Sequence, residues 1–190
     1  TVEWDELEKT PGLLEAIEKF GKESLEMAGY LRKQARSLML SSQIDPDNST
    51  KLDEAAKYLM MADTIYTDLE GQNSKDYGLI LEDLATVQLR RKDIKRAREL
   101  YEKAASVHHF LDNFQDYFEA RENLALTYND NPKKVIPMLE KILAERRKEL
   151  GEEDPGVPAC LARLALVNSE LKRIGEANKY INQALEFIRS

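Results

Sequence analysis

An all-α fold, a right-handed superhelical stack of antiparallel helical hairpins, is what this 190-residue sequence predicts. Three observations carry that expectation. Ala, Leu, Glu, Lys and Arg dominate, with only 8 Gly and 6 Pro, a mixture that favours helix throughout. No run of β-branched residues alternates with period two, which argues against a sheet. A Leu-Ala pair recurs at Leu84-Ala85, Leu124-Ala125 and Leu164-Ala165, each 40 positions after the last.

In chain order, residues 1–10 form an acidic lead-in. Thr10-Pro11 predicts a helix start, a hydroxyl cap followed by a proline whose missing N–H costs nothing in a first turn. Leu13, Leu14, Ile17, Phe20, Met27, Leu31, Ala35 and Leu38 then recur at helical spacing. Gly21 and Gly29 interrupt this run at about 1 kcal/mol each relative to Ala, so one long helix or two collinear ones satisfy the pattern, with any break near Gly21.

Asp, Pro, Asn and Ser cluster over residues 43–51 and predict a loop. A helix to about Leu69 follows, with Ala55, Leu59, Ala62 and Tyr66 on one face, and Gly71 to Ser74 ends it. Further helices are expected at about 75–91, 94–111, 113–129, 132–150, 156–172 and 175–189. Asn131-Pro132 serves as cap and first-turn proline. The expected organisation is an N-terminal helical segment and loop over 1–51, a degenerate first hairpin or a cap, and helical repeats over 52–190.

Each Leu-Ala pair is answered in the next helix by a trio spaced four and three. These are Ala97/Tyr101/Ala104, Val135/Leu139/Ile142 and Ala177/Ile181/Ala184, with Ala55/Leu59/Ala62 as an earlier one lacking its Leu-Ala partner. Small residues let antiparallel helices approach and the larger ones fill the flank. A hairpin alone leaves an apolar face exposed, so neighbours must stack.

The net charge of −7 argues against general nucleic-acid binding, which needs excess Lys and Arg. Cys160 is the only cysteine, so no intrachain disulfide or cysteine zinc cluster is possible. A reducing, intracellular setting is the natural expectation, the cytoplasm first, with an organellar interior also compatible. No apolar run approaches the roughly 20 residues of a membrane span, and the acidic N-terminus is neither a secretory signal nor a transit peptide.

Catalytic patterns are missing from the sequence: it holds no Gly-rich phosphate loop, G-x-S-x-G elbow or H-E-x-x-H. The only histidines, His108 and His109, are adjacent on a predicted helix and point about 100° apart, so one should lean on the core and one face water. Cys160, one turn before Leu164, is expected to be a packed core thiol. No cofactor or metal is expected. The sharpest charge feature is 90–98, where Arg90, Arg91, Lys92, Lys95, Arg96 and Arg98 surround one acid, Asp93, and locally reverse the chain's acidic balance. That corner could meet an anionic partner, or simply pair with Glu99, Glu102 and neighbouring acids at roughly 0–1 kcal/mol per pair.

The spacing of Leu-Ala to Ala-xxx-Tyr-xx-Ala resembles the tetratricopeptide repeat. Residues 135–185 resemble its longer kinesin-light-chain-like variant, through Pro137, the extension ILAERRKELG at 142–151, the acidic turn at 152–155 and the closing LARLAL…GEANKYINQAL. The resemblance implies a concave groove lined by the first helix of each hairpin. Matching positions are Leu79, Glu82, Thr86 and Leu89, then Glu119, Glu122 and Leu126, then Ala159, Ala162 and Leu166. Asp83, Asn123 and Arg163 fall one position off that face, just before each Leu-Ala pair, and Asn123 and Arg163 are further candidates for peptide contacts. It also implies where a clamp for a C-terminal carboxylate would stand. Asn123 and Arg163 match two of its positions, but Glu82, Thr86 and Ala159 fill the others, and the clamp is expected to be absent. The expected function is therefore a noncatalytic scaffold or adaptor binding a partner peptide or helix in the groove. A structural subunit using outer faces and ends is the alternative, and an enzyme-regulatory module a more distant one.

Overall fold

The computed structural model describes residues 4, 10–44, 49–69 and 71–189; the lead-in before Thr10 and the middle of the 43–51 loop lie largely outside the described residues. Among the described residues every regular element is a helix: α1 Pro11–Phe20, α2 Leu25–Ile44, α3 Ser49–Asp68, α4 Lys75–Arg90, α5 Ile94–Phe110, α6 Phe114–Leu126, α7 Pro132–Leu150, α8 Gly156–Glu170 and α9 Ile174–Arg189. The chain forms two compact units, residues 1–107 and 108–190, the boundary falling within α5.

The N-terminal helical run breaks at Gly21, which adopts φ 78° and closes α1 by donating its N–H to the Ile17 carbonyl at 2.8 Å. Only glycine enters that backbone region without strain. The Thr10 hydroxyl makes no capping bond; instead its carbonyl accepts from the Leu13 and Leu14 N–H groups. Asn131 behaves the same way before Pro132, its carbonyl serving Lys134 and Val135. Ser74 is a true side-chain cap, its Oγ accepting from the Tyr77 N–H at 3.2 Å.

In the first unit α2 packs extensively on α3 and also meets α4, so residues 25–44 supply the first helix of a first hairpin. Met27, Ala28, Leu31 and Ala35 of α2 are buried, as are Ala55, Leu59 and Ala62 of α3 and Leu84 and Ala85 of α4. Polar bolts cross these helices. The Tyr77 hydroxyl donates to Asp63 at 2.8 Å and accepts from the Lys103 ammonium, while its ring stacks on Tyr66 at 5.7 Å.

The second unit is organised around α7 and α8. Val135, Leu139, Ile142 and Leu143 of α7 share one core with Val157, Cys160, Leu161 and Leu164 of α8, closed by Phe118 and Ala125 of α6 and Tyr180 of α9. A stripe at spacing four and three on α7 makes this possible, because such positions lie on one helical face.

Three corners repeat one device. Lys92 (φ 67°), Asp112 (φ 53°) and Lys172 (φ 59°) are left-handed, and the residue after each donates back across five positions. Asp93 bonds Gln88, Asn113 bonds His108 and Arg173 bonds Asn168, each at 2.9 Å. This is the Schellman closure, here made without glycine. The residue that accepts is a buried polar one each time, Gln88, His108 or Asn168. His108 is thus fixed within the fold, and His109 is exposed, packing edge-on to Phe114 and Tyr117.

Repeat equivalence fails at the last hairpin. Tyr101 and Ala105, and Leu139 and Leu143, are buried, whereas Ile181 and Leu185 at the corresponding places on α9 are 45% and 41% exposed. Ile174 extends that stripe by two turns.

Candidate interaction surfaces

Groove positions inferred from sequence fall into two groups, one in each unit. On α4, Leu79, Glu82, Thr86 and Leu89 are half-buried. The Thr86 hydroxyl is engaged from behind, sharing a 2.9 Å hydrogen bond with the Tyr101 hydroxyl. Between α2 and α4 the same unit opens a cleft of 510 Å³ lined by Gly29, Arg32, Lys33, Arg36, Ser37 and Leu40 of α2, Tyr66 of α3, and Asp76 and Ile80 of α4. Arg32 is held by Asp83 across the cleft's edge, Nε to Oδ2 2.6 Å.

In the second unit Ala159, Ala162 and Leu166 stand on the open face of α8, Leu166 being 60% exposed, with Glu119 exposed on α6 and Asn123 and Leu126 half-buried. Glu122 departs from the sequence expectation. It is 0% exposed, and its carboxylate is shared between Arg146 of α7, at 3.0 Å, and Arg163 of α8. Its side chain therefore lies beneath the groove face as part of the core.

Arg146 is the centre of this arrangement. Only 2% exposed, it donates Nη2 to Glu122, Nη1 to Asp154 at 2.8 Å, and Nη1 more weakly to Gln115 at 3.4 Å. Its Cζ lies 5.3 Å from the Phe118 ring centroid. Its Nε has no hydrogen-bond partner among the described residues. Asp154 also receives the Gly156 N–H at 3.1 Å, which closes the turn into α8. A Cβ at Gly156 would stand 1.8 Å from Arg146 Nη1, so only glycine leaves room for the guanidinium. Burial pulls the Arg163 guanidinium below its ordinary pKa, and Glu119 pushes it back up.

The sequence holds a signal for this network. Arg146 continues the spacing of Val135, Leu139 and Ile142, placing a cation on the core stripe of α7.

Much of the basic corner at 90–98 is committed to the protein itself. Arg90 donates to the Met39 carbonyl and to Ser42 Oγ, both at 2.8 Å, tying α4 to the end of α2. Arg91 pairs with Asp53 at 3.0 Å and Arg96 with Glu99 at 3.1 Å. Lys92 and Lys95 are exposed, and Arg98 is half-buried with contacts of its own. Cys160 lies in the core with its thiol toward the Leu139 carbonyl, and burial pushes its pKa up to about 11. Among the described residues no helix is long and apolar enough to cross a membrane, and no cluster of His, Cys, Asp and Glu could hold a metal ion.

Solved structures share this fold. The TPR-like repeats of a kinesin light chain-like protein from Podosopora anserina superpose with a TM-score of 0.70 at 17% identity over 92% of this chain and 81% of that one. A single-substitution variant of it gives 0.73 at the same identity and coverage. BtubC (BKLC) from P. vanneervenii gives 0.68 at 20% identity over 86% of this chain, which spans 64% of that protein. No family model matches the sequence, nor does any curated protein. The chain thus has the all-α, TPR-like helical repeat fold.

Proposed function

We propose that this protein is a noncatalytic scaffold or adaptor that takes a partner peptide or helix on the open faces of the first helices within a unit. The observation that carries this is α8. One side of it builds the core through Val157, Cys160, Leu161 and Leu164, while Ala159, Ala162 and Leu166 stand open on the other. Small residues beside one large apolar anchor suit a docking segment, with Arg163 and Asn123 available for polar contacts. The His108 imidazole is fully buried with its Nδ1 3.3 Å from Asn113 Nδ2, and Cys160 is a buried thiol, which fits a noncatalytic role. A reducing compartment, the cytoplasm first, fits that thiol.

The test is affinity purification from the native source with wild type, an Ala162→Glu/Leu166→Asp variant, and an Arg91→Glu/Lys92→Glu/Lys95→Glu variant. All three are checked for unchanged helicity. Loss of the same partner only from the first variant supports the groove, and full retention by it refutes the groove reading. Loss only from the second assigns the partner to the basic corner.

A structural-subunit reading has its own observation, the exposed stripe Ile174, Ile181 and Leu185 on α9. It prevails if the partner is lost on Ile181→Glu/Leu185→Glu and kept by both other variants.

A further inference from the structure

The cleft between α2 and α4 has a chemistry of its own within an acidic chain. We infer that it binds a phosphorylated serine or threonine of an extended peptide, seated on Lys33, Arg36 and Ser37; this rests on the groove reading above and names what the first unit recognises.

Lys33, Arg36 and Ser37 stand at i, i+3 and i+4 on α2, so they are neighbours on one helix face, and all three line the cleft. Both cations are exposed, and neither makes an ion pair with a described residue. Arg32, beside them, is neutralised by Asp83 and acts as a fixed wall. Two exposed cations, unpaired among the described residues, and a hydroxyl on one helix face suit a dianion with three acceptor oxygens. A run of carboxylates fits less well, because it needs cations strung along the groove, whereas here two cations and a hydroxyl stand within two turns; Asp76 on the opposite wall disfavours either anion. Leu40, 62% exposed, offers the flanking residues of the peptide an apolar edge.

Gly29 is the second, independent observation. It sits inside α2, where glycine weakens a helix, yet no neighbour requires it: a Cβ there would meet nothing within 4 Å. It does line the cleft, one turn before Arg32 and Lys33. A missing side chain at that place lets a ligand backbone approach the helix. Packing gives no reason for this glycine, and a bound peptide does.

The probe is an array of peptides about a dozen residues long with randomised flanks and a central phosphoserine, serine or glutamate. Hits are then measured in solution by fluorescence anisotropy. Wild type should bind a subset of phosphoserine peptides at least about tenfold more tightly than their serine and glutamate versions. Lys33→Glu/Arg36→Glu should abolish that difference. Gly29→Leu should weaken the same peptides by about tenfold or more while melting at or above the wild-type temperature, an outcome that misfolding cannot mimic. Equal binding of glutamate peptides at this cleft would replace phosphate by acidic-segment recognition and overturn the inference. Phosphate-dependent binding that survives both variants also overturns it. Unphosphorylated peptides that bind and are lost on Ala162→Glu/Leu166→Asp would leave the groove reading standing without this inference. An array with no hits would overturn this inference and leave the groove reading to the affinity purification above.

Discussion

Glu122→Gln removes one charge and almost no volume, and its consequences follow from where the charge sits. Wild-type Glu122 is fully buried between two guanidinium groups. Arg163 is 29% exposed on its side chain and can turn to water once released, so its share of the loss is small. Arg146 cannot, being buried with Asp154 as its one remaining charged partner at 2.8 Å. Removing one partner of a buried pair costs about 3–5 kcal/mol, because the other ion stays desolvated. Gln keeps one acceptor oxygen for Nη2, which places the expectation near the lower end, about 3 kcal/mol. For a unit of this size that is a fall of about 12–24 °C in melting temperature. Urea denaturation followed by circular dichroism measures the loss, and hydrogen exchange of α6 to α8 amides assigns it to the second unit. The triple change Glu122→Leu/Arg146→Met/Asp154→Asn should recover most of it, since a well-packed apolar replacement of a buried ion set is often neutral or better. Gly156→Ala displaces Arg146 by the other route, so its cost should be much less than additive with Glu122→Gln. A Glu122→Gln loss below about 1 kcal/mol would refute the argument, because it would mean that the guanidinium is hydrated.

Two further outcomes are expected. Lys172→Gly should raise stability by roughly 0.5–1 kcal/mol, because the left-handed corner then carries no Cβ penalty, and thermal melting reads the gain; a loss would mean that the exposed Lys172 side chain contributes more than its backbone costs. Alkaline pH should weaken the fold through Cys160. Its folded pKa is raised to about 11 from 9.0, so the contribution is intact below about pH 9 and is lost as pH rises through 11, at up to about 1.4 kcal/mol per pH unit. Denaturation curves of wild type and Cys160→Ala, each taken at pH 8 and pH 10, should therefore draw together at the higher pH. Parallel curves would contradict a buried neutral thiol.

How far the sequence announced this arrangement depends on whether the information was local. Each recurring Leu-Ala pair belongs to the apolar face of its own helix, and Leu84, Ala85, Ala125, Leu164 and Ala165 are buried. The break at Gly21 follows from a backbone conformation open to glycine, and the opposite fates of His108 and His109 follow from rotation along a single helix. Glu122 is different. An acid on a predicted groove face looks solvated until Arg146, 24 positions later, is placed beside it by tertiary packing. The α2 cleft was missed for a related reason. Apolar spacing defined α2 by its buried face, and the facing helix that turns Lys33 and Arg36 into a cleft begins only at Lys75. At Ile181 the repeat pattern predicted more burial than the protein has, because a period states which face is apolar and not whether anything covers it.

The Arg146 cluster also restricts how α7 can lie on its neighbours. Apolar contacts between helices tolerate sliding, since one Leu or Ala resembles the next a turn away. Displacing α7 along α6 by one turn, about 5.4 Å, would keep most greasy contacts but carry the guanidinium away from Glu122 and the Asp154 turn together. Misaligned packings are thereby penalised more heavily than correct packing is rewarded. The cluster works as an alignment key for the second unit, selecting one register from several that apolar side chains alone would accept.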